Sequence, residues 1–357
     1  MEISEIEVEG YERVVRCRDQ KSGLHALIAV HDTTLGPALG GMRMLPYPSE
    51  DEALFDVLRL SRGMTYKSAV AETGLGGGKS VVIGDPRTAK SADLFHAMGR
   101  FIESLGGKYI TAEDMNIGIP DLETVRLETR WVTGLKREAG SSGNPSPYTA
   151  IGCLVGMRAV LEDVFGKADF RDKRVLIQGV GAVGGRLAEL LADQGAKVII
   201  CDINEARVDE LRKQHGYEVV PDDRHLEVEC DVYSPCARGA TLNDETIPKL
   251  RCKAVAGCAN NQLLEPRHAR ELMSRGILYA PDYVINAGGI INVSVELLPG
   301  GYDEKVSLRQ IEGIYQNLKT VFEISRLESI PTNEAAARLA EQRLAAGRES
   351  KLRASKV

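Results

Sequence analysis

The sequence predicts an α/β protein in two domains, one of them built on a doubly wound parallel sheet, and three observations carry that expectation. The chain has 357 residues, more than one hydrophobic core usually organises. From Arg174 to Asp202 the segments RVLIQ, GVGAVGG, RLAELLADQG and KVIICD read as strand, glycine-rich turn, helix and strand, the βαβ unit of a parallel sheet. Between Ser141 and Tyr148 the run SSGNPSPY gathers Gly, Ser, Asn and Pro, which breaks regular structure and marks a boundary.

The other elements follow in order. Leu24 to Val30 is an apolar strand of the first domain. A helix begins at Ser49, where Ser49 and Glu52 form a capping box ahead of the stripe Ala53, Leu54, Val57, Leu58 and Ser61. Another begins at Ser91, with Leu94, Phe95, Met98, Phe101, Ile102 and Leu105 at helical spacing and Gly106-Gly107 as its stop. KYI is a short strand that leads into the polar loop TAEDMN. A long helix runs from about Thr149 to Phe165, and after the βαβ unit CDVYSPC, AVAGCAN and ILYAPDYVIN read as further strands of the same sheet.

Composition narrows the function. Hydrophobic residues make up 43% and charged residues 27%, and no apolar run approaches the roughly 20 residues that span a bilayer. A membrane role is not expected. The start, MEISEIEVEG, is acidic where a secretory signal is basic and then apolar, so the cytoplasm is expected. The net charge of -6 argues against nucleic acid as a partner, and Arg348, Lys351, Arg353 and Lys356 read as a solvated tail. Cys17, Cys153, Cys201, Cys230, Cys236, Cys252 and Cys258 are an odd set that reads as reduced and buried; their spacing is not that of zinc ligands and none of the six histidines completes a ligand set, so no metal is expected.

Two segments carry chemistry. Gly179, Gly181 and Gly184 satisfy the dinucleotide fingerprint between a strand and a helix: the first turns tightly, the second admits a pyrophosphate, and the third lets helix and strand pack. The phosphate cradle is therefore Gly179, Val180, Gly181, Ala182, Val183 and Gly184. Asp202 closes the next strand 18 residues after Gly184, beside Ile203; its carboxylate suits ribose hydroxyls and repels a 2'-phosphate, which favours NAD over NADP.

The second segment is GMTYKSAVAETGLGGGKSVVIGDP, from Gly63 to Pro86. Gly78-Lys79-Ser80 imitates the end of a phosphate loop, but Thr73 stands where its first glycine belongs and a strand, not a helix, follows. Triple glycine before lysine instead brings backbone close to a small ligand. Lys67, Lys79 and the loop residue Asp114 together meet the needs of amino acid oxidation: a cation for the carboxylate, a base for water, and a carboxylate to shuttle protons on nitrogen. A lysine base needs a lowered pKa, which a neighbouring cation and desolvation supply.

With those residues stand GPALGGMRM, TAED, SSGNPSP, NDETIP, NNQL and YAPDYVINAGGIINV, and over nearly its whole length the chain resembles the Glu/Leu/Phe/Val dehydrogenase family. The resemblance implies a mixed-sheet α/β substrate and oligomerisation domain, residues 1–140 plus 331–357, and a doubly wound Rossmann NAD-binding domain, residues 141–330, separated by a cleft. It implies that Lys67, helped by Asn261, binds the substrate carboxylate, that Lys79 activates water, and that Asp114 relays protons. Gly40, Gly41, Gly77 and Gly78 would form a backbone wall, and Thr149, Cys236, Ala237, Ala259, Asn260 and Asn286 would contact the cofactor. The resemblance places Leu39 where glutamate-specific relatives carry a lysine, and Met64, Ala112, Ile290 and Val293 complete an apolar pocket. The implied reaction is reversible, NAD-dependent oxidative deamination of branched-chain L-amino acids to 2-oxo acids and ammonia, by a homo-oligomer, with an octamer as the expected form. An aromatic-specific enzyme of the same architecture and a non-catalytic NAD-binding sensor are the alternatives.

Overall fold

The computed structural model describes residues 1–354 and divides the chain into two compact units, the first being residues 1–144, 293–303 and 340–357 and the second 145–292 and 304–339. Within the first lie β1 (Glu2–Glu5), β2 (Arg13–Asp19), β3 (Leu24–Asp32), β4 (Ala38–Leu45), α1 (Glu50–Val70), β5 (Gly76–Ile83), α2 (Ala92–Glu103), β6 (Tyr109–Glu113) and α3 (Ile119–Arg126). Their sheet runs β1-β2-β3-β5-β4-β6. β3 pairs antiparallel with β5, whereas β4 pairs parallel with both β5 and β6, so the sheet is mixed.

Alternation along these strands separates two cores. Ala29 and Val81 face one way and pack with Ala53 and Val57 of α1. Ala26, Ile28, Met42, Met44 and Val82 face the other way and meet Leu94, Phe95, Met98 and Phe101 of α2 and Leu122 and Val125 of α3. Helix α1 starts where its cap dictates, with Ser49 Oγ accepting the Glu52 N–H at 3.2 Å. Ser91 likewise accepts from Leu94 N at 3.1 Å, but α2 stops at Glu103 and the glycine pair forms the left-handed turns beyond it.

The second unit holds α4 (Ser146–Phe165), β7 (Arg174–Gln178), α5 (Ala182–Asp193), β8 (Lys197–Cys201), α6 (Glu205–His215), β9 (Glu218–Val219), β10 (Val232–Pro235), β11 (Ala254–Val255), α7 (His268–Ser274), β12 (Leu278–Tyr279), α8 (Asp282–Ile285), all but the last two residues of α9 (Gly288–Ser294), α10 (Glu304–Ile311) and α11 (Gly313–Glu328). Every pairing in its sheet is parallel and the order β12-β11-β10-β7-β8-β9 reverses direction beside β7, the doubly wound arrangement. Helix α4 starts at Ser146, three residues ahead of the expected Thr149, because Pro147 suits a first turn. The run ILYAPDYVIN is a strand only at Leu278–Tyr279; Pro281 ends it and Asp282–Ile285 is helical.

Two expectations about boundaries change. The segment 293–303 belongs to the first unit, because Glu296 accepts hydrogen bonds from Gly134 N, Ser141 Oγ and Ser142 N, so the division does not run simply at 140/141 and 330/331. Arg348, Lys351 and Arg353 are exposed, as expected, but on a helix and not a loose tail: they lie on α12 (Thr332–Ala354), where Arg348 pairs with Asp32 at 2.9 Å and Lys351 donates to Thr33 O at 2.8 Å. Arg353 pairs with Glu349 along the helix, and Lys356 lies outside the described residues. All seven cysteines are free, six buried and Cys236 half-buried.

Close approach explains why β5 is glycine-rich. An ideal Cβ on Gly77 would stand 2.0 Å from Thr65 N, whereas one on Gly63, in the same α1 helix as Thr65, meets nothing within 4 Å. Gly77→Ala should therefore destabilise the protein by about 3 kcal/mol or more, while Gly63→Ala should stabilise it by about 0.5 to 1 kcal/mol through its better helix propensity. Paired denaturation curves read both signs.

Candidate active site

The site in the first unit follows from register. Leu39 pairs with Gly77 and with Ile110, Gly41 pairs with Ala112, and Lys79 pairs with Ala29. Paired residues point to one side, so Leu39, Gly41, Gly77, Lys79, Ala112 and Asp114 share the sheet face that α1 covers, and α1 carries Met64 and Lys67. Gly40 and Gly78 lie on the opposite face. A Cβ on Gly78 would meet the Tyr109 ring at 2.7 Å, one on Gly40 would meet Gly78 O at 1.7 Å, and Tyr109 Oη donates to Gly40 O. Their glycine character is set by interior packing, which corrects the idea of a wall of four glycines turned toward a ligand. Gly41 does border the site, since its Cβ would stand 2.7 Å from Asp114 Cβ.

Lys79 and Asp114 meet. Lys79 Nζ lies 2.5 Å from Asp114 Oδ2, and Lys79 is only 6% exposed. Burial pulls the lysine below its ordinary pKa, the Asp114 charge offsets this in part, and nearby Arg43 adds to the lowering. Burial pushes Asp114 up, but Lys79 and then Arg43 outweigh it and hold the carboxyl below its usual range. Lys67 lies on the last turn of α1, partly buried.

Three residues here escaped the sequence reading. Arg43 Nε donates to Asp114 Oδ2 at 3.1 Å while its Nη1 donates to Asp56 Oδ2 at 3.1 Å, and Tyr47 Oη donates to that same Asp56 oxygen at 2.7 Å. Asp56 is buried in α1 although it falls among the apolar positions of that helix. The available signal was the two-residue alternation Leu39, Gly41, Arg43 along β4, which puts the arginine on the lysine's face.

In the second unit the glycines behave as the fingerprint requires. Gly179 is left-handed at φ 95° and donates to Cys201 O at 2.8 Å; a Cβ on Gly184 would stand 2.0 Å from Gly179 O; a Cβ on Gly181 meets nothing within 4 Å, leaving open space at the start of α5. That opening, beside the N–H groups of Ala182, Val183 and Gly184, fits a pyrophosphate. Asp202 Oδ2 accepts from Val180 N at 2.7 Å and Oδ1 accepts from Asn204 N at 2.8 Å, which fixes the carboxylate and leaves each oxygen a further lone pair. Ile203 beside it is 79% exposed.

Thr149 Oγ1 donates to Pro145 O at 3.1 Å and lies where a Cβ of Gly289 would come within 2.7 Å. Asn286 Nδ2 donates to Asn260 Oδ1 at 2.7 Å and to Cys258 O at 3.2 Å, gathering β11's loop with Ala259. Cys236 and Ala237 follow β10, and Ala237 lies under Gly179, whose Cβ would meet it at 2.6 Å. Asn261 is exposed with a left-handed φ of 51°, and Ile290 and Val293 are buried on α9.

Among the described residues two groups gather three possible metal ligands, Cys201 with Asp222 and His225, and Asp244 with His268 and Glu271, which spacing alone did not reveal. Both are engaged by protein: Arg267 forks onto Asp244, and His225 bonds Asp222 O and Tyr233 Oη.

A doubly wound sheet with a filled-in glycine fingerprint, joined in one chain to a mixed-sheet unit that buries a lysine against an aspartate, defines the class of dinucleotide-dependent dehydrogenases. Residues 11–134 match the model of the Glu/Leu/Phe/Val dehydrogenase dimerisation domain, residues 202–351 that of Glutamate/Leucine/Phenylalanine/Valine dehydrogenase, and residues 175–227 that of the TrkA-N domain. The chain is 53% identical to leucine dehydrogenase of Thermoactinomyces intermedius, covering 94% of this chain and 91% of that one. It is 46% identical to phenylalanine dehydrogenase of Bacillus thermotolerans over 94% and 89% of the two chains. The crystal structure of L-tryptophan dehydrogenase from Nostoc punctiforme superposes with a TM-score of 0.86 at 41% identity, covering 95% of this chain and 97% of that one. The chain belongs to the Glu/Leu/Phe/Val dehydrogenase family and is an amino acid dehydrogenase. No helix of the described residues is long and apolar enough to cross a membrane.

Removing the carboxylate tests the pair. Asp114→Ala leaves the buried Lys79 without its counter-charge and Arg43 with Asp56 alone, and should cost about 3 kcal/mol in urea denaturation at neutral pH. The sign with pH is fixed by the lowered Asp114 pKa: its contribution is present above the ordinary carboxylate value and is lost as pH falls through the depressed one, so the wild-type and Asp114→Ala stabilities should converge in acid.

Proposed function

We propose that this enzyme oxidatively deaminates branched-chain L-amino acids, leucine foremost with isoleucine and valine, to 2-oxo acids and ammonia, reversibly and with NAD. The observation that carries the reading is the buried Lys79–Asp114 pair on a sheet face that it shares with Leu39, Gly41 and Ala112. Identity of 53% to a leucine dehydrogenase supports the substrate class.

Lys79, neutral once its lowered pKa is passed, takes a proton from the water that attacks the substrate imine. Asp114 carries protons to and from the substrate nitrogen, and Lys67 with Asn261 holds the α-carboxylate. NAD, when bound, supplies the hydride acceptor. Gly179 to Gly184 and the start of α5 hold its pyrophosphate, Asp202 its adenosine ribose, and Thr149, Cys236, Ala237, Ala259, Asn260 and Asn286 position the remainder, with Ile203 against the adenosine. Leu39, Met64, Ala112, Ile290 and Val293 receive an aliphatic side chain. A distal carboxylate there would be buried without a partner at a cost of several kcal/mol, so glutamate is rejected. We assign the working form to a homo-oligomer, an octamer, in keeping with the dimerisation-domain match, and place it in the cytoplasm.

The test is a substrate panel with NAD, read by NADH absorbance. Leucine, isoleucine and valine should turn over and glutamate should not; preference for phenylalanine or tryptophan would assign the aromatic reading, and no turnover at all would leave a nucleotide-binding sensor. Lys79→Ala should lose at least about 1,000-fold in kcat while NADH still binds. Deamination should rise with pH through an inflection below the ordinary lysine pKa, because the neutral amine is the base; a flat profile from about pH 7 to about pH 11 contradicts this role. NAD should be preferred to NADP by well over about tenfold, and Asp202→Ser should narrow the gap. Equal use of both cofactors by the unmodified enzyme removes the role given to Asp202.

A further inference from the structure

We propose that Arg43 is a positioning residue for the catalytic pair: clamped between Asp56 and Asp114, it keeps the Asp114 carboxylate charged and aimed while Lys79 gives up its proton. The inference rests on the reading of Lys79 as the base.

The geometry is a chain of alternating charge. Asp56 is fixed by Tyr47 Oη at 2.7 Å and by Arg59 at 2.7 Å, Arg43 spans from Asp56 to Asp114, and Asp114 ends on Lys79. Arg43 Nε and Lys79 Nζ share one oxygen, Asp114 Oδ2, so the two cations are at most two hydrogen-bond lengths apart. Two like charges at such separation in a buried place repel each other, which is costly if the only purpose is to pair Asp114, because Lys79 already does so. A catalytic purpose accounts for the second cation. Guanidinium does not titrate, whereas a lysine that works as a base must alternate between charged and neutral forms. With Lys79 as its sole cationic partner, the half-buried Asp114 would lose its counter-charge each time the lysine lost its proton, and would therefore help the lysine hold that proton tightly. Arg43 supplies the missing charge in advance. The amine is freed at lower pH, and the carboxylate does not swing or protonate in response.

The planar fork is what the place requires. Nε and Nη1 point to different carboxylates, and an ammonium would have to choose between them. Other titratable groups come from every element packed on β5. Asp56, Arg59 and Lys67 belong to α1, and Asp56 opposes Arg43 by favouring the charged lysine. From β3 come His31, bonded to Thr65 Oγ1 at 2.9 Å, and Asp32, paired with Arg348. Tyr109 and Glu113 of β6 fall on the other face of the strand by alternation. Arg43 is the member of this set whose charge is permanent and whose bond ends on the oxygen that Lys79 also uses.

The experiment uses the full-length enzyme and its Arg43→Gln and Arg43→Lys variants. Two pH profiles are recorded for each: kcat/KM for leucine with NAD, and acylation of Lys79 by acetic anhydride, followed by peptide mass spectrometry. Thermal midpoints and NADH affinity are measured alongside. For Arg43→Gln both profiles should move to higher pH by about one unit or more, the displacement expected when a unit charge is lost at this range. Activity near pH 8 should then fall about tenfold or more, with much of the deficit recovered above the new inflection, while NADH affinity is unchanged. Arg43→Lys should give an intermediate displacement, because the charge is restored and the fork is not. Should Arg43→Gln not fold, the Arg43→Lys displacement decides alone. Inflections that stay in place while rates fall in parallel at every pH overturn the inference and leave Arg43 a packing residue. Absence of leucine turnover by the unmodified enzyme would refute the substrate reading instead, and the acylation profiles would still decide the role of Arg43.

Discussion

Burying the Lys79 ammonium on the α1 face of the mixed sheet is the constraint on which the first unit turns. A lysine 6% exposed is tolerable only beside a carboxylate, and Asp114 supplies it at 2.5 Å from just past the end of β6, the parallel strand on the far side of β4. That proximity dictates much of the local sequence. The strands β5, β4 and β6 must run side by side, so Gly40, with Gly78 O in the place of its Cβ, and Gly77, with Thr65 in the place of its own, have no room for side chains. Gly41 is bare because Asp114 occupies its space. The same closeness puts Lys79 where burial lowers its pKa, so the packing that stabilises the sheet also favours the neutral amine that the proposed role requires.

The nucleotide unit obeys a different logic, in which the chain leaves room instead of filling it. Gly181 opens onto empty space at the start of α5, while its companions Gly179 and Gly184 are pressed against Ala237 and each other's backbone. Asp202 is held still by two backbone N–H groups, so in the proposed ribose-binding role its carboxylate would need no further ordering.

Legibility in the sequence followed the range of the interactions involved. Signals that act within a few residues were readable: the Ser49 and Ser91 caps, the βαβ unit around the glycine fingerprint, and the cluster of glycines before Lys79. Lys79 and Asp114 were legible as chemical types, and family resemblance joined them across thirty-odd residues that no local rule spans. The roles of Arg43, Asp56 and Tyr47 are not legible in the sequence, because they depend on strand register and on a helix laid on the sheet. For the same reason the glycines were assigned one shared role, when alternation places Gly40 and Gly78 on the face opposite to Gly41 and Gly77. The C-terminal basic residues are exposed as their composition suggests, but the pairing of Arg348 with Asp32 on β3 is invisible in sequence because it forms only when the helix docks. Pro281 was the local sign that DYVIN leaves the strand, and it was outweighed by the apolar composition around it.

The most direct test of the account is a crystal structure of the enzyme with NADH and the 2-oxo acid of leucine. The account predicts the ketone oxygen within about 3 Å of Lys79 Nζ, the Asp114 carboxylate still bonded to Arg43, and the aliphatic chain against Leu39 and Ala112. A 2-oxo acid bound elsewhere, with the Lys79–Asp114 pair closed on itself and touching no ligand, would contradict it.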